Sequence, residues 1–166
     1  MPKQKEFIAL IQKHEGIILK VIHLYAKDTA DREDLKQEII YQLWRSIDSF
    51  SGEAKITTWI YRVALNTALI QLKRRKRKIK SIPIEDAVFN QKEGSNTEEE
   101  EQIQQLYATI QQLKAVDRAI ILLYLEGSSH EEIGAILGFS TSNIGTRIGR
   151  IKKQLKKLFN QTYHGA

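Results

Sequence analysis

The sequence predicts an all-α protein of two small helical domains joined by an acidic flexible linker, the second domain carrying a helix-turn-helix. Three observations lead there. Apolar residues recur at helical spacing in every ordered segment, and no convincing run alternates with period two. Proline stands only at Pro2 and Pro83, so little interrupts the helices. Residues 81–101 then change character, becoming acidic and poor in large apolar side chains after Phe89. Pro83 and Gly94 break that stretch further, and it reads as a partly disordered linker between domains 1–80 and 102–166.

The first helix is predicted over Lys3 to Ala26, with a break near Gly16. Phe7, Leu10, Ile11, Ile18, Val21, Ile22 and Tyr25 mark its buried stripe. Thr29, Ala30 and Asp31 form a turn. Asp31 is the expected N-cap, with Glu33 and Asp34 favourable to the helix dipole. The second helix runs to about Ser49, with Leu35, Ile39, Leu43 and Ile47 on one face. Residues 50–55 form a loop, and a third helix follows from about Thr57 to Lys78. Beyond the linker, Ile103, Leu106, Tyr107, Ile110 and Leu113 stripe a fourth helix. The acidic run Glu98 to Glu101 suits its first turn. Ala119 to Leu125 form the apolar centre of a fifth, which Gly127 ends.

The last two helices carry the most specific local pattern. Ser128 with Glu131, or Ser129 with Glu132, has capping-box spacing. Ile133, Ile136 and Leu137 give one apolar face, Gly138 closes the helix, and Phe139 fills the corner. Ser140 caps the final helix, whose seam is Ile144, Ile148, Ile151, Leu155 and Leu158. A short helix, a glycine turn and a longer basic helix make a helix-turn-helix, or else an ordinary helical hairpin with a solvated basic face. The outward side of the last helix offers Ser140, Thr141, Ser142, Asn143, Thr146, Arg147 and Arg150. Their hydroxyl, amide and guanidinium groups suit base edges and phosphates. His130, at a helix start, reads as a surface residue.

Charge follows the same division. Residues 1–80 carry net +8, residues 81–101 net −6 and residues 102–166 net +4. Basic faces attract polyanions, although surface solubility alone accounts for a modest overall charge. Lys73 to Lys78 are all basic, and six adjacent cations repel one another unless an anion lies near. Upstream lie Trp59, Tyr61 and Asn66. Such rings can serve as stacking platforms for unpaired bases, although the helical spacing of Trp59, Val63 and Ile70 favours the core for Trp59.

Other chemistries are poorly supported. The chain has no cysteine, so it has no disulfide or thiolate metal site. His14, His23, His130 and His164 have no ligand spacing, and the acids sit in the linker and at helix starts. No metal, cofactor or catalytic residue is therefore expected, and the chain reads as no enzyme. The longest apolar run, Ala119 to Leu125, falls far short of the roughly 20 residues that span a bilayer. No signal segment opens the chain, so a cytoplasmic protein without membrane insertion is expected.

Three segments taken together resemble the extracytoplasmic-function sigma factors of bacteria. Residues 31–44 (DREDLKQEIIYQLW) are similar to that family's segment for binding core RNA polymerase. Phe50-Ser-Gly-Glu53 and Thr58-Trp-Ile-Tyr-Arg-Val-Ala-Leu-Asn66 are similar to its −10-reading segment. Residues 125–140 and Ile144-Gly-Thr-Arg-Ile-Gly-Arg150 are similar to its −35-reading helix-turn-helix. The resemblance spans nearly the whole chain, in order. It implies that Asp34, Gln37, Glu38, Tyr41 and Leu43 bind core polymerase. It implies that Ser51, Lys55, Trp59, Tyr61, Arg62, Asn66, Lys73 and Arg74 serve the −10 element, the loop Ser49 to Lys55 capturing a flipped base. It gives the −35 duplex to Ser140 through Asn143 and to Thr146, Arg147 and Arg150. The implied partners are core RNA polymerase, promoter DNA and an inhibitory anti-sigma factor.

Leu65 and Ile70 stand where many members carry Arg and Asp. Gly145 and Gly149 replace residues that are often Lys and His, either loosening the last helix or letting it approach DNA closely. A classical operator-binding dimer would account for residues 102–166 but leaves Asp31 to Lys80 without a role. A nucleic-acid enzyme lacks its clustered ligands.

Overall fold

The computed structural model describes residues 2–50, 52, 55–78 and 97–163, all helical or in short connections between helices. Ser51, Lys80 and most of the predicted linker lie outside them. The chain divides into two compact units, Met1–Phe89 and Asn90–Ala166.

In the first unit, the stretch predicted as one helix is two: α1 (Pro2–Lys13) and α2 (Glu15–Tyr25). The break falls at His14, whose backbone leaves the helical region (φ −111°, ψ 20°). Gly16 lies inside the first turn of α2. The next helix, α3, spans Thr29–Ser46 and passes into a single 3-10 turn, Ile47–Ser49. Its cap is Asp28, not Asp31. The Asp28 backbone is extended, and its Oδ1 accepts the Asp31 N–H at 2.8 Å, which satisfies one of the orphan donors of the first turn. Asp31 is thereby free to pair with Arg75, at 2.7 Å, on α4 (Ile56–Lys78).

Helices α2 and α3 both pack on α4. Ile18, Val21, Ile22 and Leu24 meet the Leu35, Ile39 and Leu43 stripe and the Ile60, Ala64, Leu65 and Ala68 face, all buried. Each large aliphatic side chain so enclosed contributes roughly 1.5–3 kcal/mol. Leu65, at a position that often carries Arg in the family it resembles, is fully buried here. At the edge, Phe7 of α1 meets Trp44 edge-on, with ring centroids 5.0 Å apart.

The second unit begins earlier than residue 102. Thr97 caps α5 (Glu98–Ile110), and the four glutamates of the predicted linker's end form its first turn, where they complement the dipole. Three helices follow: α6 (Ala115–Leu125), α7 (His130–Leu137) and α8 (Thr141–Tyr163). Ile110, Leu113, Ala119 through Leu123, Ile133, Ile136, Ile144, Ile148 and Ile151 form the core. Leu155 and Leu158 are only half-buried, as α8 runs past its neighbours.

Ser129, with Glu132, is the pair that builds the capping box: Glu132 N–H donates to Ser129 Oγ at 3.1 Å, and Ser129 N–H donates to Glu132 Oε1 at 3.3 Å. At the other end of α7, Gly138 adopts φ +85°. The Gly138 and Phe139 N–H groups both donate to Gly134 O, at 2.8 and 2.9 Å. The chain turns so tightly that a Cβ on Gly134 would lie 2.4 Å from Phe139 O. Gly134 stands inside α7 with no capping or turn signal of its own, yet the turn between α7 and α8 depends on its bare Cα.

Candidate nucleic-acid interface

Two surfaces gather the residues singled out above, one on each unit. On the first, α3 and α4 diverge to leave a groove of about 740 Å³. Asp34, Gln37, Glu38 and Tyr41 line one wall; Asn66, Ile70 and Arg74 line the other. The α3 residues follow i, i+3, i+4, i+7 spacing, so they share one helix face. Asp34, Gln37 and Tyr41 are exposed, and Gln42 Nε2 donates to the half-buried Glu38 at 3.0 Å. Exposed apolar surface, Tyr41 and Ile70, thus sits beside carboxylates and amides, a mixture suited to a protein partner.

Leu43 does not belong to this face. It is completely buried against α2 and α4 and can only hold α3 in place. Leu43→Ala is therefore expected to destabilise the first unit by about 2–5 kcal/mol. Thermal melting of the full chain checks this, and polymerase affinity measured well below the melting temperature is expected to change little.

On α4 the structure separates core from surface. Trp59 is 8% exposed and packs against Phe50, with ring centroids 5.3 Å apart; Tyr61 is 6% exposed. Neither ring offers an open face for a base, so both are corrected from DNA contacts to core residues. Helical phase explains it: Trp59, Ile60, Ala64, Leu65 and Ala68 turn inward together, leaving Arg62, Asn66, Ile70, Lys73 and Arg74 outward. Lys55 is exposed just before the helix. The basic run is not wholly free for a ligand either, since Arg75 turns in to Asp31. Ser51 lies outside the described residues.

The second surface is the outer side of α8. Ser140 Oγ accepts the Asn143 N–H at 3.1 Å and so caps the helix. Thr141, Ser142, Asn143, Thr146 and Arg150 are exposed. Arg147 is different. Its Nε donates to Asn143 Oδ1 at 3.0 Å, its guanidinium lies 4.5 Å from the Phe139 ring centroid, and Nη1 is 3.9 Å from Asp117 Oδ1 on α6. Contacts on three sides leave the side chain only 27% exposed, so it is a strut of the turn rather than a freely presented base reader. Lys152 is also anchored. It donates to Tyr124 OH at 2.7 Å and lies 4.4 Å from the centre of that ring. Lys153, Lys156 and Lys157 remain exposed.

The two glycines of α8 separate. A Cβ on Gly145 would touch the His130 ring at 3.4 Å, so this position accommodates the start of α7. A Cβ on Gly149 would meet nothing within 4 Å. Among the described residues, no three His, Cys, Asp or Glu side chains cluster as metal ligands. None of the described helices is long and apolar enough to cross a membrane.

Comparison with known proteins extends these observations. Residues 10–78 match the sigma-70 region 2 family and residues 103–155 match sigma-70 region 4. The chain is 32% identical to the ECF RNA polymerase sigma-E factor of Escherichia coli strain K12, an alignment spanning 92% of this chain and 85% of that one. It is 28% identical to the RNA polymerase sigma-H factor of Pseudomonas aeruginosa, over 93% and 86% of the two chains. Among solved structures, it resembles the sigma factor RpoE crystallised with the anti-sigma factor NepR from Bartonella quintana (TM-score 0.71, 23% identity, covering 95% of this chain and 96% of that one). It also resembles CnrH in complex with the cytosolic domain of CnrY (TM-score 0.66, 22% identity, covering 95% and 90%).

Proposed function

The chain belongs to the extracytoplasmic-function sigma factors of the sigma-70 family, and from that premise we propose a division of labour between its two surfaces. A sigma factor is a transcription-initiation factor, not an enzyme, and it confers promoter recognition on core RNA polymerase. Residues 1–80 form the polymerase-binding and −10-opening domain, residues 81–96 the tether, and residues 97–166, beginning with the cap of α5, the −35-binding domain. The exposed face of α3, at Asp34, Gln37, Glu38 and Tyr41, docks core polymerase. Lys55 and the outer ridge of α4, with Arg62, Asn66, Lys73 and Arg74, take the −10 strand. Thr141, Ser142, Asn143, Thr146 and Arg150 face the −35 duplex, with Ser140 capping the helix that carries them.

The observation that most supports this reading is the sorting of side chains. On α4, Arg62, Asn66, Lys73 and Arg74 lie outside while Ile60, Ala64, Leu65 and Ala68 close the core; on α8, Asn143, Thr146 and Arg150 lie outside while Ile144, Ile148 and Ile151 do so. Cross-linkers placed at position 66 and at position 146 test it in the complete initiation complex. The first is expected to mark −10 DNA and the second the −35 duplex. The reverse pattern, or labelling of neither, contradicts the assignment.

Phosphate contacts should also appear in the salt dependence. Removing one contact lowers the slope of log K against log[salt] by about 0.9 on duplex DNA. Lys153→Gln, Lys156→Gln and Lys157→Gln in the full chain are each expected to reduce the slope toward that amount, read by anisotropy on a −35 duplex. Lys152→Gln, whose amine is already held by Tyr124, is expected to change it less.

Control by an anti-sigma factor is part of this proposal, supported by the likeness to RpoE bound to NepR. So is residence in the cytoplasm, where the polymerase works. Full promoter-directed activity in cells, whatever the level of every candidate inhibitor, would argue against the first.

A further inference from the structure

Asn143 is the residue of the proposed −35 face whose chemistry the fold constrains most. Its Oδ1 accepts from Arg147 Nε at 3.0 Å. A guanidinium can only donate, so the limb of the amide that faces Arg147 must be the oxygen, which removes the usual ambiguity of an amide's orientation. Arg147 is itself held in place by the Phe139 ring at 4.5 Å and by Asp117, whose carboxylate is mostly buried on α6. The opposite limb, the NH2, is then the part of this exposed side chain left for a ligand. An unconstrained asparagine reads adenine by using both limbs, accepting from N6–H and donating to N7. Here one lone pair of that oxygen is taken by Arg147, and the bond turns the oxygen toward the arginine, leaving the NH2 as the limb directed away from it.

We infer that Asn143 reads its base pair as a hydrogen-bond donor, selecting the O6 and N7 acceptors of guanine over adenine, with Arg147 and Asp117 as positioning residues. This rests on the proposed placement of α8 on the −35 duplex. A two-acceptor edge is the best match for an NH2 with two hydrogens, since the adenine edge presents one acceptor beside a repelling donor. Asp117 acts at one remove, fixing Arg147, which in turn fixes the amide.

The test uses core polymerase carrying this protein, on promoters in which every −35 position is varied in turn. Wild type is expected to favour guanine over adenine on the order of tenfold at the position Asn143 reads. Asn143→Ala is expected to flatten that position and no other. Asn143→Asp, which presents an acceptor, is expected to move it from guanine toward cytosine, whose N4 amine donates. Arg147→Ala, which frees the amide to turn, is expected to raise adenine toward guanine at that same position, and Asp117→Asn to do so partly. Replacing the selected guanine with 7-deazaguanine is expected to weaken wild type and leave Asn143→Ala unaffected, a comparison that does not depend on the Arg147 variant folding. A patterned wild-type profile that Asn143→Ala leaves intact, or one in which the affected position favours adenine, overturns this inference alone. A wild-type profile flat at every −35 position overturns the assignment of α8 to that duplex, and the inference with it.

Discussion

Replacing Gln37, Glu38 and Tyr41 together with alanine is expected to leave the first unit folded and to abolish promoter-directed transcription. The three share one face of α3, and Gln37 and Tyr41 are exposed, Tyr41 at 53%. Surface substitutions of this kind usually change stability by no more than about 0.5 kcal/mol each, and losing the Gln42–Glu38 hydrogen bond adds little at a partly exposed site. An interface, by contrast, concentrates its energy in a few residues, aromatic ones prominent, each worth roughly 2 kcal/mol or more. Together the three changes are expected to weaken binding to core polymerase by at least about a hundredfold. Labelled protein titrated with core enzyme reads the affinity, and a thermal melt confirms the fold. Affinity close to wild type would remove α3 from the polymerase interface.

The second large effect is expected at Gly134. A methyl group there would meet the Phe139 carbonyl oxygen at 2.4 Å, and that atom is backbone, which cannot swing aside. To accommodate alanine, the turn must open and strain the two hydrogen bonds that end on Gly134 O. Overpacking of this kind costs about 1–3 kcal/mol. A domain this small has only roughly 3–5 kcal/mol to lose, so Gly134→Ala is expected to melt the second unit many degrees early and to weaken −35 binding with it. Gly149→Ala supplies a comparison of opposite sign. It lies in the same helical hairpin, its Cβ would meet open space, and a mid-helix alanine is worth about 0.5–1 kcal/mol over glycine. The melting temperatures of the two variants are expected to move in opposite directions. A Gly134→Ala protein as stable as wild type would show that the turn can relax without cost.

Much of this arrangement was legible in the sequence because it rests on periodicity and local chemistry. The α8 seam at Ile144, Ile148 and Ile151, the glycine turn at Gly138 and the capping box each need only a few neighbouring residues to declare themselves. The misreadings have a common origin in tertiary contact. Asp28 and Asp31 are equally good caps in isolation; α3 begins at Asp28, and Asp31 is engaged by Arg75 of α4. Trp59 and Tyr61 flank Ile60 on the inward arc of α4; spacing with Val63 pointed to the core for Trp59, but nothing local marked Tyr61 as inward or Ile70 as outward. Leu43 looked like part of the polymerase-binding segment because it lies within it, yet its own face points to the core. Arg147 carries the composition of a base reader, and only the position of Asp117, on another helix, shows where its guanidinium is held. Gly134 was silent because the atom it must avoid is a backbone oxygen, which has no signature in sequence.

The central claim, that this chain directs core RNA polymerase to promoters, is tested most directly by run-off transcription. Purified bacterial core enzyme is given fragmented genomic DNA of the source organism, with and without the protein. Discrete transcripts that require both, and that share sequence elements upstream of their start sites, are the expected result. Tight, specific binding of the protein alone to duplex DNA, with no new transcripts when core enzyme is added, would contradict it and make the chain an operator-binding regulator instead.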